Sequence, residues 1–482
     1  MFRIFPGVVV FIMVLSGCAG DSATGSYDSM RLFVDSMPGS MAMRLAEYEG
    51  PERHPVIVIH GLLGAKLMNR DTGRMVWGEF SRRSFDDEFM RSISHPMRPG
   101  VPLKHIHDNI VPAGLLKSAE IKFLGIKFER PGYGNLIDIL KSAGYALDGE
   151  PLPEGKHYHT LFIFTYDWRR DPVENAARLA DFIREKSDQM ANIYRARYGY
   201  SKEKVKFDII AHSMGGLIAR YYLMYGKADL PMDDTPPHLT WAGADYISKL
   251  VIVGTPNAGY LDTVIEMTGG LSVSSAAPLI PPGVVSTLPS YYAMLPAAAA
   301  GGEIVDDAGN RVDIFDYDLW VRNRWGLADP DEDDTLELLL PDVETASERR
   351  KIALDHLKKC LARGRNFAIA MGQAVSEPAG VRLALFAGDA VSTRALARIK
   401  ESGGLEVESF DIGDGKVLAS SARYDRFDGG GWQLHYDSPI KWESTIYLPA
   451  AHMGITASKT FGANLLGFLL LTSPDNWREF RD

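Results

Sequence analysis

Hydrophobic residues in this 482-residue chain fall into short, nearly unbroken runs separated by longer amphipathic stretches. Pro55 to Ile59 reads Pro-Val-Ile-Val-Ile, and Leu161 to Tyr166 and Lys249 to Val253 are similar; all three predict buried strands. Val205, Phe207 and Ile209 alternate with polar neighbours, which predicts a further strand of period two. Val381 to Phe386, Leu405 to Phe410 and Thr445 to Leu448 are later strand candidates. Helical signals lie between them. Asp171-Pro172-Val173-Glu174 opens a long helix, with Asp171 suited to the N-cap, Pro172 to the first turn and Glu174 to the acidic third position. Leu217, Ile218, Tyr221, Tyr222 and Met224 make an apolar helical stretch that Gly226 stops. A closing helix is expected from about Ile455 through Leu471, its apolar end too short for a membrane span. Strands alternating with helices predict an α/β fold with a mostly parallel central sheet covered on both faces.

Two stretches break the alternation. Residues 66–130 mix short apolar pieces with charge (Arg82, Arg83, Asp86, Asp87, Glu88), and read as a small lid-like insertion. Residues 265–375 are rich in Pro and Ala, then acidic from Asp329 to Asp334, and read as a larger cap. The core is therefore expected in two parts, 51–264 and 376–482. At the N-terminus Arg3 precedes an apolar run from Ile4 to Leu15 that ends in Leu15-Ser16-Gly17-Cys18. This resembles the lipobox of bacterial lipoproteins; an ordinary secretory signal with an incidental cysteine is the alternative. The resemblance implies a signal peptide over 1–17, a lipid on Cys18, a tether over 18–50 and a lipid-anchored place in the bacterial envelope. Ala19 favours the outer membrane or a periplasm-facing position over inner-membrane retention.

Composition narrows the classes. The chain is 46% hydrophobic and 24% charged, ordinary for a globular protein. A net charge of −10 argues against nucleic-acid binding. Cys18 and Cys360 are the two cysteines, so a mature exported chain has one thiol and no internal disulfide. Cys360 sits among Lys358, Lys359 and Arg363 with no evident activating base, and reads as a packed thiol. No HExxH or clustered His/Cys set is present, and neither a metal nor another cofactor is expected.

The chemistry centres on Ala211-His212-Ser213-Met214-Gly215, a small-x-Ser-x-Gly turn between a strand and a helix. Such a turn forces the serine onto a sharp corner above the sheet, as in a nucleophile elbow. Ala211 stands where Gly is commoner, which is tolerable if its φ is negative. A serine hydroxyl needs a base, and imidazole suits that task. Of twelve histidines, His238, His356, His435 and His452 follow Ser213. His452 is best placed, after the strand Thr445–Leu448 and the short Pro449-Ala450-Ala451 loop and before the last helix. A carboxylate must orient that imidazole. Asp414, in Gly413-Asp414-Gly415-Lys416-Val417, is the first choice, and Asp389 in Gly388-Asp389 is the rival. The oxyanion needs two N–H donors. Met214 is one candidate, and the loop His60-Gly61-Leu62-Leu63-Gly64 supplies the other through Leu63, with Leu62 second. His60 is expected to shape that loop.

These pieces together resemble the lecithin:cholesterol acyltransferase family of α/β-hydrolases. The matching segments are Pro55–Gly64 with Lys66-Leu67, Tyr166-Asp167-Trp168-Arg169 and the elbow at Ser213. Thr255-Pro256-Asn257-Ala258-Gly259, Leu288-Pro289-Ser290, Met294-Leu295-Pro296, Gly413–Val417 and His452 complete the set. The resemblance implies the α/β-hydrolase fold with lid and cap insertions, a Ser213–His452–Asp414 triad, and an oxyanion hole of the Leu63 and Met214 amides. It also implies an acyl-ester substrate, with lipid esters favoured, acted on by hydrolysis or by transfer to an alcohol. A catalytically inactive envelope-binding lipoprotein is the competing reading. The chain departs from the family at Ala211 and in having no cysteine pair near Trp77, so a disulfide-closed lid cannot form. Trp77 is then either a cover for the acyl site or a core residue, and Asp167-Trp168-Arg169 reads as a structural brace.

Overall fold

Six of the apolar runs form one sheet in the computed structural model, which describes residues 46–79, 85–123, 126–272, 279–427 and 436–471. Its strands are β1 (Val56–Ile59), β2 (Leu161–Phe164), β3 (Phe207–His212), β4 (Ile247–Val253), β5 (Arg382–Gly388) and β6 (Ser444–Leu448). They lie side by side in the order β6-β5-β4-β3-β1-β2, and every pair is parallel. From β1 the chain crosses to one side for β2 and returns to the other side for β3. The carboxyl ends of β1 and β3 thus flank a crevice at a switch point of the winding, the usual place for a site in an open α/β sheet.

The two faces of the sheet bury different residues of the same strands, because side chains alternate along a strand. Ile57, Ile59, Ile209, Leu250 and Ile252 join a core with α2 (Pro172–Tyr198), α3 (Met214–Tyr225) and α5 (Ala346–Met371). Val56, Val58, Ile210, Val251 and Val253 join a second core with α1 (Gly134–Ser142) and α6 (Lys459–Leu471). Phe461 of α6 meets Phe386 edge-on at 5.0 Å between ring centres. The closing helix therefore packs on the sheet, and among the described residues no helix is long and apolar enough to cross a membrane. The expected α/β-hydrolase architecture is the one observed.

Helix ends follow their local chemistry. The Asp171 carboxylate accepts from the Val173 amide, Pro172 takes the first turn, and Gly199 closes α2 at φ 65°. Glu174 pairs with the buried Arg170 just before the helix and with the exposed Arg178 one turn on. Gly226 ends α3 at φ 63°.

One strand expectation needs correction, and one polar residue an explanation. The strand expected around Val205–Ile209 is β3, and all six of its residues are buried. Helices cover both faces, so the polar Asp208 survives burial by pairing: Lys249 Nζ lies 3.5 Å and His54 Nδ1 3.3 Å from its carboxylate. The run Leu405–Phe410 is a strand over Leu405–Gly413, but it stands outside the central sheet. It forms an antiparallel hairpin with Val391–Ile399, and Glu303–Val305 adds a third strand. The chain leaves the central sheet at Gly388, runs out and back through this hairpin, and rejoins at β6.

Within 66–130, Ala65–Asn69, Met75–Trp77 and Ile110–Leu115 form a small antiparallel sheet, and Ser118–Phe123 pairs with Ile126–Pro131. Arg82 and Arg83 lie outside the described residues. Within 265–375, α5 sends Ala353, Leu357, Cys360, Leu361 and Phe367 into the first core.

Candidate active site

β3 hands its last residue to the corner at Ser213, whose φ of 54° and ψ of −130° are strained for a residue with a side chain. Such a conformation costs about 1–3 kcal/mol and persists only where its surroundings over-determine it. Those surroundings are specific. The Ser213 amide donates to the Val253 carbonyl at 2.8 Å, and the Ser213 carbonyl accepts from Thr255 Oγ1 at 2.7 Å. The first turn of α3 presses on both neighbours: a Cβ on Gly215 would lie 2.4 Å from the His60 carbonyl, and one on Gly216 2.0 Å from Thr255 Oγ1. Ala211 precedes the corner with a negative φ, so its methyl group carries no penalty.

The structure brings Ser213, His452 and Asp414 together. Ser213 Oγ is 3.0 Å from His452 Nε2, and His452 Nδ1 is 2.7 Å from Asp414 Oδ2. A carboxylate only accepts, so Nδ1 carries the proton and Nε2 is left to accept from the serine hydroxyl. The second oxygen of Asp414 takes the amides of Lys416 at 3.0 Å and Val417 at 2.7 Å. Burial pushes this carboxyl up, but the His452 charge and hydrogen bond, with the two amides, outweigh it and hold it below its ordinary value. Ser213 remains 8% exposed, enough to meet a substrate. The rival Asp389 is partly exposed, and among the described residues its carboxylate makes no bond to His452. His238 is exposed, His356 is buried and bonded to the Thr287 carbonyl, and His435 lies outside the described residues.

Asp414 arrives at the end of β5 although no central strand leads directly to it. The base of the hairpin is closed by a bridge between Val391 and Asp414. A Cβ on Gly388, the last residue of β5, would lie 2.5 Å from Asp414 Cβ. From the other side Lys416 Nζ reaches Asp262 and Glu266 of α4 (Asp262–Gly269), each at 2.8 Å, and Arg394 also pairs with Asp262.

The loop after β1 forms the facing wall. The Gly64 amide donates to the Gly61 carbonyl at 3.1 Å, with Leu63 in the left-handed region at φ 62°. A negative φ at Leu62 followed by a positive one at Leu63 is the signature of a type II turn, which usually places glycine second. Trp77 Nε1 donates to the Leu63 carbonyl at 3.0 Å. Trp77 is 2% exposed and meets Trp168 edge-on at 5.3 Å, so it is a core residue propping this turn. Trp168 in turn donates to the Ala65 carbonyl, and the buried Arg169 joins Asp167, Asp108 and the carbonyls of Ser92 and Ser94. His60 stacks on Tyr166 at 4.1 Å and donates to the Gly61 carbonyl; burial drives its pKa down to about 4, so it stays neutral. A Cβ on Gly61 would lie 3.1 Å from Ser213 Oγ, so the turn sits against the serine. Among the described residues neither the Leu63 nor the Met214 amide donates a hydrogen bond. Two free donors beside a serine that a histidine can deprotonate form a set able to carry out acyl transfer.

Three contributors lie outside the residues predicted for the site. Thr255 braces the corner, and Tyr133 and His212 connect the two walls. His212 is part of the pentapeptide, so its position was visible and its role was not; Tyr133 in Pro131-Gly132-Tyr133-Gly134 carries no local signal. Cys18 lies outside the described residues. Cys360 is buried and its thiol is pushed up by burial, an unreactive state.

The model of the lecithin:cholesterol acyltransferase family, the family that the sequence resembles, matches residues 130–307, the stretch from α1 through the elbow and its bracing loop. A solved structure titled "The crystal structure of Tle4-Tli4 complex" has the same fold, with a TM-score of 0.52 over 88% of this chain and 99% of the other, at 13% identity. No curated protein matches the sequence.

Proposed function

We propose that the protein is a serine acyl-ester hydrolase acting on lipid esters. The observation that carries this reading is the unbroken line from Ser213 Oγ through His452 to Asp414, at 3.0 and 2.7 Å. In the proposed reaction Ser213 Oγ attacks the ester carbonyl while its proton passes to His452 Nε2. The oxygen that becomes negative is held by the Leu63 and Met214 amides. Collapse of that intermediate expels the alcohol, which takes the proton from His452 and leaves an acyl-serine. Water repeats the sequence and frees the acid. Asp414 keeps the imidazole in the required tautomer and stabilises its charged form. The family match supports acyl-ester chemistry in general, hydrolytic or transferring. Its name favours a second reading in which an alcohol takes the place of water; hydrolysis is preferred because transfer needs an acceptor site as well. A lipid on Cys18, supported by the lipobox-like Leu15-Ser16-Gly17-Cys18, would hold the enzyme at an envelope surface.

The test uses the full chain with a fluorescent alkyl fluorophosphonate and with liposomes of defined phospholipid, with and without an added long-chain alcohol. Labelling that vanishes in Ser213→Ala, with release of free fatty acid, supports the hydrolase. New ester in place of fatty acid supports the transferase. A folded protein that takes no label, in detergent or liposomes, would return the chain to a binding role.

A further inference from the structure

Between the two walls of the site runs a chain of hydrogen bonds that the reaction above does not use. The Gly61 amide donates to Tyr133 Oη at 2.7 Å, Tyr133 Oη lies 2.9 Å from His212 Nδ1, and His212 Nε2 lies 3.3 Å from the His452 carbonyl. Proton bookkeeping fixes every direction in it. A carbonyl can only accept, so His212 Nε2 carries the hydrogen and Nδ1 is the bare acceptor. Tyr133, already accepting from Gly61, donates its own hydrogen to that nitrogen. The chain starts on the turn that presents Leu63 and ends on the backbone of the histidine that serves Ser213. Tyr133 and His212 are buried, and their rings meet edge-on at 5.5 Å.

We propose that Tyr133 and His212 are positioning residues, a neutral strut that sets the distance between the oxyanion turn and His452. The inference rests on the hydrolase reading above. Three features support it. Every polar atom of the strut is engaged, Tyr133 Oη by both the Gly61 amide and His212 Nδ1, so the two walls cannot shift apart without breaking a buried bond. The His212 ring lies 4.9 Å from that of His452, where a second positive charge would oppose the imidazolium formed during catalysis. Burial first, and the neighbouring His452 second, bring the His212 pKa down to about 3, so the ring holds no charge at working pH. His212 can neither relay a proton nor compete as a base, since both nitrogens are committed. Its place directly before Ser213 lets one residue register the serine, the turn and the histidine together.

The full chain is compared with Tyr133→Phe, His212→Phe and His212→Gln. The serine is titrated with a fluorophosphonate, and hydrolysis of p-nitrophenyl butyrate is measured per titrated serine. Tyr133→Phe is expected to lower kcat per titrated serine by about 10–100-fold with KM within about twofold, since small misplacements at a reacting centre cost that much. His212→Phe is expected to match or exceed it. His212→Gln keeps one donor and one acceptor and should recover most of the loss, with the acid limb of kcat/KM unmoved. A purely structural role would reduce the number of titratable serines and leave kcat per serine unchanged. That result in Tyr133→Phe, which removes a single hydroxyl, overturns the strut even if His212→Phe does not fold. Equal losses in His212→Phe and His212→Gln overturn it as well. An unlabelled wild type would instead overturn the hydrolase reading on which the strut depends.

Discussion

The proposed nucleophile and the proposed acid of this site are held by different kinds of structure. Ser213 stands at the end of a wholly buried strand, flanked by β1 and β4, and its strained corner is fixed by backbone bonds, by Thr255 and by glycines too tightly packed to carry a side chain. Asp414 stands at the foot of a hairpin outside the central sheet, held by loop amides and by Lys416 and Arg394 reaching to α4. Close packing tolerates little displacement, whereas half-exposed ion pairs contribute modestly and respond to salt. The serine side of the site is therefore held by core packing and backbone bonds, and the acid side, although Asp414 is itself buried, is held in part by ion pairs at its outer edge.

Substitutions should divide along this line. Ser213→Ala is expected to lower kcat by about 10⁶-fold, leaving only what binding and the oxyanion donors supply; residual labelling by fluorophosphonate would place the nucleophile elsewhere. Asp414→Asn should cost about 10⁴-fold by favouring the wrong imidazole tautomer, while Asp389→Asn stays within about twofold. An equal loss in both would put the acid assignment in doubt.

Acid should weaken the buried half first. Burial holds His60 and His356 at about 4 and His212 at about 3, and drives His95 well below its ordinary value, partly through His356 nearby. Below the ordinary histidine pKa of about 6.5 the unfolded chain takes up protons that the folded chain refuses. Stability therefore falls with pH from about 6.5 toward 4, by about 2 kcal/mol per such histidine between pH 7 and 5. Asp414, held below its ordinary value, has a linkage of the same sign in a lower window. Its contribution persists from pH 7 to 5 and is lost as pH falls through and below the ordinary carboxylate value of about 3.8. Thermal unfolding from pH 7 to 5 should show the decline, with a shallower slope in His356→Gln; a melting temperature constant across that range would count against the neutral buried histidines.

The smaller effects refine the contrast. Thr255→Val removes the bond to the Ser213 carbonyl and should lower kcat by about tenfold, insensitive to salt. Lys416→Gln should lower it by only about two- to fivefold, and high salt should produce a similar loss in the wild type. A Lys416→Gln defect beyond a hundredfold would mean that the acid loop is as rigidly specified as the serine corner.

What could be read from the sequence follows the same division. Ser213 and His452 were legible because each is defined by a few adjacent residues: a strand-turn-helix pentapeptide, and a short loop between a strand and the last helix. Asp414 was legible from chain order and its flanking glycines, although the strand before it belongs to another sheet; the run Leu405–Phe410 carries no mark of which sheet it joins. Full burial of β3 was hidden by Asp208, whose polarity suggests an exposed face unless Lys249 and His54 are known to be near. Tyr133, Thr255 and the role of Trp77 were illegible because their partners are remote in sequence, and a hydrogen bond across the fold leaves no local pattern.

The turn at Leu63 has a consequence of its own. A type II turn and its type I counterpart differ by a half-rotation of the central peptide, here the one between Leu62 and Leu63. That rotation would swing the Leu63 N–H from one side of the loop to the other. A leucine in the left-handed region costs about 1–2 kcal/mol, a cost that glycine would not carry. The Trp77 indole anchors the Leu63 carbonyl, on the peptide beyond the one that would turn. The proposed oxyanion donor is thus presented by a conformation that leucine disfavours, and Leu63→Gly should preserve or raise the rate of fluorophosphonate labelling; a fall would show that the leucine side chain itself is needed.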